Sequence, residues 1–204
     1  MKYVSRIIIL ALTVGLLGLL SCSDNEPKKE DTPELITKVT LTYMESGQAP
    51  ITVTATDPDG DGVQDIAVDG PIVFVTGKTY IMSIGLINGL VAAGQPGYDI
   101  TEEVADEGDE HQFFFTWTGD LFADPTGNGN VDVASDPVNY TGGANSKDLL
   151  GQNLGLTTTW TTGSVPGTGT FRIVLKHQPG AKTSSSGATV GETDLDITFD
   201  VIIN

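Results

Sequence analysis

Short runs of alternating apolar and polar residues recur along most of the chain. In Thr193–Ile203, every second residue from Leu195 onward is a large apolar one, and aspartate and threonine fill most of the positions between. Successive side chains of a β-strand point to opposite faces, so this period of two predicts a strand with one face in the core. The other face, with Asp194, Asp196 and Asp200, is predicted to lie in water.

Similar runs predict six further strands. They are Ile36–Tyr43, Ile51–Thr56, Lys78–Ile87, His111–Trp117, Asn153–Thr162 and Thr168–Gln178. Turn clusters rich in Gly, Asn, Asp and Pro separate them, and no sustained helical period occurs. The pattern predicts a single all-β domain over residues 36–204, an antiparallel β-sandwich of immunoglobulin-like type. A closed β-barrel is the alternative.

Two features of these runs bear on function. His111–Trp117 is aromatic on both faces at its centre, which predicts a central strand of a sheet. The connections Asn88–Glu110 and Gly119–Gln152 are longer than hairpin loops. Loops of that length in a compact domain are usually functional or disordered.

The N-terminus has the pattern of an export signal. Lys2 and Arg6 precede an apolar run that ends at Leu20, too short to span a bilayer and typical of a signal peptide over residues 1–21. The sequence Leu-Leu-Ser-Cys that ends at Cys22 resembles a bacterial lipobox, and this implies cleavage before Cys22 and lipidation of its thiol. The alternative is a secreted chain with an incidental cysteine.

Residues 22–35 are predicted to be a disordered tether, because they are charged, contain two prolines and offer little to bury. The acidic residues directly after Cys22 resemble the signal that sends lipoproteins of Bacteroidota to the outer face of the outer membrane. The periplasmic face is the alternative location.

The charge of the chain excludes some partners. Its 204 residues include 27 acidic and 10 basic ones, with a net charge of −17. Such a surface repels phosphate backbones and anionic headgroups, so nucleic acid is excluded as a partner and membrane contact is expected only through the lipid anchor.

One acidic loop has the spacing of a calcium site. The loop has aspartates at alternate positions, Asp57, Asp59 and Asp61, and a fourth at Asp65, with glycines at positions 60 and 62. Oxygen ligands on a chain that can curl around an ion suit Ca²⁺. The spacing resembles the calcium loops of dockerin and thrombospondin-type repeats, although it lacks the glutamate that closes an EF-hand. A hairpin turn that needs no ion is the alternative.

A second acidic segment ends in a histidine. Six carboxylates occupy the nine positions before His111. We predict a short helical turn capped by Thr101, with Glu103 and Glu107 on one face and Glu110 carried onto the next strand. Carboxylates this close repel one another, and imidazole with carboxylates suits Zn, Mn, Fe or Ni. A solvated acidic loop without a metal is the alternative.

The chain has one other histidine, His177, at the end of a predicted strand. Because side chains two residues apart on a strand share a face, His177 is predicted to lie on the apolar face with Phe171, Ile173 and Leu175. It is either a hydrogen-bonded packing residue or part of a metal site shared with His111, if the two strands are neighbours.

The familiar patterns of catalysis are absent from the sequence. It contains no Gly-x-Ser-x-Gly elbow and no phosphate-binding loop between a strand and a helix, and its one thiol belongs to the lipobox. We therefore predict a protein that is not an enzyme; a hydrolase that uses a carboxylate pair is the least favoured reading.

Four segments carry a family resemblance. They are the lipobox, Thr101–Phe114, Leu175–Pro179 and Gly191–Phe199. With them the chain resembles small lipoproteins of Bacteroidota that are found beside TonB-dependent outer-membrane receptors. The resemblance implies a non-catalytic binding module on the outer membrane that holds a nutrient or metal near such a receptor. A structural or adhesive surface protein without a small ligand is the alternative.

Overall fold

The computed structural model of the chain describes residues 34–60 and 66–204. The predicted signal peptide, Cys22, most of the predicted tether and two of the predicted calcium ligands, Asp61 and Asp65, lie outside these residues. The elements in chain order are β1 (Lys38–Met44), β2 (Ile51–Thr56), β3 (Ala67–Val68), β4 (Ile72–Phe74), β5 (Thr79–Ile87), α1 (Ile100–Asp106), β6 (His111–Trp117), β7 (Phe122–Asp124), β8 (Thr157–Thr162), β9 (Gly167–His177) and β10 (Glu192–Ile203).

The strands form two sheets. One has six strands in the order β3-β2-β1-β5-β8-β7, and the other has four in the order β4-β10-β9-β6. All pairings are antiparallel except that of β4 with β10. The predicted β-sandwich is therefore confirmed. The larger sheet curves like half a barrel and remains open, so the closed-barrel alternative is wrong.

The core lies between the inner faces of the sheets. Along β5 every second side chain is buried, as the period of two predicts. An aromatic group from both sheets fills the centre, where the Trp160 ring meets the rings of Phe171 at 4.9 Å and Phe115 at 5.4 Å between centroids. Edge-to-face contacts of this kind add to the large apolar area that each ring buries.

The prediction that His111–Trp117 is a central strand is wrong, because β6 is an edge of the four-stranded sheet. The long segment between β7 and β8 covers that edge. Phe113 N–H donates to Leu154 O at 2.8 Å, and Asn130 N–H donates to Phe115 O at 2.8 Å. With the edge paired in this way, Phe113, Phe114 and Phe115 are all fully buried.

A β-bulge interrupts β10 near its start. The register against β9 shifts between Thr193 and Leu195, so Asp194 is an extra residue opposite the β9 strand. A bulge re-aims the side chain at the extra position. The prediction that Asp194 shares the solvent face with Asp196 is accordingly wrong, since its side chain has no exposed area.

Helical structure among the described residues is limited to α1, which has seven residues. None of the helices there combines the length and hydropathy that crossing a bilayer requires.

Two buried tyrosines offer a test of the packing. The Tyr140 hydroxyl donates to Phe113 O at 2.6 Å and accepts from Asn130 Nδ2 at 2.8 Å, and burial raises its pKa to about 12. Tyr140→Phe leaves both partners unsatisfied in the interior, so we expect the free energy of unfolding to fall by about 1–3 kcal/mol in urea titrations.

The matched control is Tyr43→Phe. The Tyr43 hydroxyl is buried and has no hydrogen-bond partner among the described residues, so its removal should leave the stability unchanged or raised. Equal losses in the two variants would contradict the roles assigned to these hydroxyls.

Candidate metal centre

Two histidine rings stack at one end of the four-stranded sheet. His111 of β6 and His177 of β9 are direct partners in the antiparallel register. Their ring centroids are 4.6 Å apart and their planes differ by 7°. Both residues are on the apolar inner face and are buried, with 0% and 2% of their surface exposed. The neighbouring strands that the shared-site hypothesis requires are therefore present.

The helix before β6 brings carboxylates to these rings. Its N-cap is Asp99, whose side chain accepts from the backbone N–H groups of Thr101 and Glu102. The prediction that Thr101 is the cap is wrong. Its hydroxyl instead donates to Leu86 O at 3.1 Å and accepts from Leu86 N–H at 2.8 Å, which fastens the helix to β5. An aspartate at the cap offers an anionic acceptor to the orphan N–H groups of the first turn.

Glu107 ends the helix and orients one imidazole. Its carbonyl oxygen lies 3.2 Å from Nδ1 of His111. In the neutral ring this contact assigns the proton to Nδ1 and leaves the lone pair on Nε2, the arrangement that metal-binding histidines use. The ligating atoms of Glu107, His111 and His177 lie within 4.8 Å of one another.

Two further carboxylates face the histidines. Asp194, turned inward by the bulge, places Oδ2 3.6 Å from Nε2 of His111. Glu110 places Oε2 3.6 Å from Nε2 of His177. The Asp194 side chain is fully buried, and the Glu110 side chain is 13% exposed. Each imidazole thus has one carboxylate oxygen 3.6 Å from its Nε2 atom.

Burial of the polar groups in this cluster carries an electrostatic cost. His177 Nε2 and Asp194 Oδ2 are completely buried and have no hydrogen-bond partner among the described residues, which costs free energy unless something compensates. Burial raises the pKa of Asp194 to about 6, although the nearby His177 opposes the shift. Burial and the carboxylates of Glu103, Asp194 and Glu107 raise the pKa of Glu34 to about 7.

The donor set defines the chemistry open to the cluster. Two imidazoles with one carboxylate are ligands for Zn²⁺ and similar divalent transition metals, whereas Ca²⁺ and Mg²⁺ prefer oxygen alone. Of the predicted ligands, Glu107, His111 and His177 come together, and Glu110 lies beside His177. Glu103 is one turn earlier, where its charge adds to the burial that raises the pKa of Glu34.

Sequence reasoning missed two members of this group. Asp194 was predicted to face solvent because strict alternation puts it on the outer face. The β-bulge shifts the register at that point and turns its side chain inward. Glu34 lies in the segment predicted to be tether, although its backbone N–H donates to Asp194 Oδ1 at 3.3 Å.

The predicted calcium loop lies elsewhere in the chain. Of its four acids, Asp57 and Asp59 are described. Asp57 Oδ1 accepts from the N–H groups of Asp59 at 3.2 Å and Gly60 at 2.9 Å, which is the local bonding of an Asx turn. Ca²⁺ binding at this loop stays a prediction.

A buried ion pair supports the turn between α1 and β6. Lys182 Nζ lies 3.0 Å from Asp148 Oδ2 and also donates to Gly108 O. The two side chains are 0% and 1% exposed. Burial lowers the pKa of Lys182, and the Asp148 carboxylate opposes that shift. The contact ties the acidic turn to two other loops.

No model of a protein family matches the chain, and neither does any curated protein or solved structure. The resemblance to lipoproteins of Bacteroidota accordingly stays a prediction. The chemistry of the cluster has to be inferred from its own residues.

The ion pair leads to a comparison of two substitutions. Lys182→Met leaves the Asp148 carboxylate buried without its cation, and we expect a loss of about 3–5 kcal/mol in the free energy of unfolding. Arg172→Met breaks a short pair with Asp196 at 2.6 Å whose side chains are 39% and 45% exposed, so it should cost no more than about 1 kcal/mol. Urea unfolding measures both; similar losses would show that burial does not decide the strength of these pairs.

Proposed function

We propose that this chain is an exported, lipid-anchored and non-catalytic binding module that takes a divalent transition-metal cation at Glu107, His111 and His177. The observation that carries the proposal is the convergence of their ligating atoms within 4.8 Å in a buried setting. The α1–β6 segment supplies Glu107 and His111, and the end of β9 supplies His177, so two distant parts of the chain bring a carboxylate and two imidazoles together.

The charges around the two histidines support a bound cation rather than a site in which histidines and acids interact only with one another. Even if both imidazoles were protonated, the carboxylates of Glu107, Glu110 and Asp194 would outnumber them, and Glu34 and Glu103 lie close by. A divalent cation supplies positive charge and gives His177 Nε2, which has no hydrogen bond within the described residues and lies 3.6 Å from Glu110 Oε2, a direct ligand bond.

The location of this module is proposed from the N-terminus. A lipobox at Cys22 and the acidic residues after it favour a protein attached to the outer membrane and facing the cell exterior. In that place we propose an accessory role in nutrient or metal uptake beside a TonB-dependent receptor. A structural or adhesive surface protein is the second candidate, and the buried histidine pair is what favours the binding module over it.

Metal titration tests the binding proposal. We expect Zn²⁺ to raise the melting temperature of the soluble chain from residue 23 onward, by an amount that corresponds to about 2.7 kcal/mol when free Zn²⁺ is a hundredfold above the Kd. His111→Gln and His177→Gln should each remove most of this response. Co²⁺ added to the same proteins should give ligand-field absorption bands in the unsubstituted chain and lose them in the variants.

The control is Asp57→Asn, which removes a carboxylate from the predicted calcium loop. It should leave the response to Zn²⁺ intact and lower any response to Ca²⁺. If neither Zn²⁺, Mn²⁺, Ni²⁺ nor Co²⁺ changes the melting temperature or is retained after gel filtration, the proposed metal centre is wrong.

Lipid attachment has its own test. In cells that export the full chain and receive radiolabelled palmitate, we expect label on the protein and recovery in the membrane fraction. Cys22→Ser should remove the label and prevent cleavage of the signal peptide, whereas the conservative change Ser23→Ala should do neither. An unlabelled, soluble protein from the unsubstituted gene would favour plain secretion.

A further inference from the structure

The buried contact between Lys182 and Asp148 has the geometry for a covalent bond between the two side chains. Lys182 Nζ lies 3.0 Å from Asp148 Oδ2, and the two side chains are 0% and 1% exposed. The backbone N–H of Lys182 donates to Gln178 O at 3.0 Å, which fixes one end of the contact. That of Asp148 donates to Gln152 O at 2.9 Å and fixes the other. An amine and a carboxyl group held together in an enclosed site react far faster than they do in solution.

The other oxygen of the Asp148 carboxylate faces two donors that can stabilise the addition of an amine. Oδ1 accepts from the backbone N–H groups of Leu150 at 2.9 Å and Gln152 at 2.8 Å. A pair of N–H groups aimed in this way stabilises the negative charge that develops on a carbonyl oxygen when a nucleophile attacks its carbon. Oδ2 instead faces the Lys182 amine, so it is the oxygen placed to leave.

An amide at this position would satisfy its polar atoms better than the ion pair does. The Lys182 ammonium has three N–H bonds, and among the described residues it has two acceptors, Asp148 Oδ2 and Gly108 O. An amide has one N–H, for which Gly108 O is the acceptor in place, and its carbonyl oxygen keeps both backbone donors. The amide also removes two charges from the interior, where burial lowers the pKa of Lys182 and so favours its neutral amine.

We propose that Lys182 and Asp148 form an intramolecular isopeptide bond, an amide between Lys182 Nζ and Asp148 Cγ. Starting from the ion pair, one proton passes from Nζ to Oδ2, and the neutral amine attacks Cγ. A second proton then passes from Nζ to Oδ2, the bond between Cγ and Oδ2 breaks, and one water molecule leaves. No atom is oxidised or reduced, so the reaction needs no co-reactant. The bond is independent of the proposed metal centre.

This bond would supply a cross-link that the cysteine content of the chain does not allow. It joins residues 34 positions apart and connects the loop after β9 with the loop before β8. Exported proteins commonly use disulfides for this purpose, but a chain with one cysteine cannot form one internally. A cross-link across a loop stabilises the folded state mainly because it restricts the unfolded chain.

Mass spectrometry of the denatured, intact chain from residue 23 onward tests this assignment. We expect its mass to be lower than the mass of its sequence by one water molecule. A tryptic digest should contain a branched peptide that joins the segment around Asp148 to the segment around Lys182, with no cleavage after Lys182. Lys182→Met and Asp148→Ala should each have the full mass of their own sequence, whether or not they fold.

Lys78→Met is the matched control. Lys78 Nζ lies 2.8 Å from Glu45 Oε1, but these side chains are 43% and 19% exposed, so water hydrates the amine and no amide should form there. This variant should therefore keep the deficit of one water molecule. An unsubstituted chain with the full mass of its sequence in most molecules would overturn the proposal. So would a deficit that the digest assigns to another position, such as a succinimide at Asp59 and Gly60.

Discussion

The candidate site depends on one register, the pairing of His111 with His177 between β6 and β9. Side chains alternate along a strand, so a slip of one residue would send one imidazole to the outer face and separate the rings. The register is held by the partners further along the same two strands, where Phe113 faces Leu175 and Phe115 faces Ile173 in the core. Hydrophobic packing in the middle of the sheet thus fixes the geometry of polar groups at its end.

This arrangement concentrates the cost of burying charge in one place. The histidines and acids at this end of the inner face lose their hydrogen bonds to water when they are buried, and the neighbouring apolar side chains cannot replace those bonds. The bulge at Asp194 and the tie between Lys182 and Gly108 bring further polar groups to the same end. Function usually explains why a fold retains such a costly group, and perturbed carboxylates beside histidines fit that expectation.

The strands with clear alternation were predictable, because their period of two survives in the sequence. Strands of two or three residues, such as β3 and β4, are too short to show any period. The edge position of β6 was hidden, since the buried aromatic pattern reflects cover by a distant loop that no local signal reveals.

The site was partly predictable for the same reasons. His177 could be assigned to the inner face by parity, and the helical turn before His111 by its acidic residues and Gly108. Asp194 could not, because a bulge changes parity without leaving a distinct residue signature. Glu34 could not either, since its backbone contact with Asp194 joins residues 160 positions apart.

The covered edge of β6 has a consequence for how copies of the protein behave toward one another. The sheets described here have edges at β3, β7, β4 and β6. The first three are two or three residues long, and the loop segment that bonds to Phe113 and Phe115 covers the fourth. Long unpaired edges invite strand exchange and aggregation between molecules. The covered β6 edge offers little such template, so molecules that are crowded side by side can meet along it without adding strands to one another.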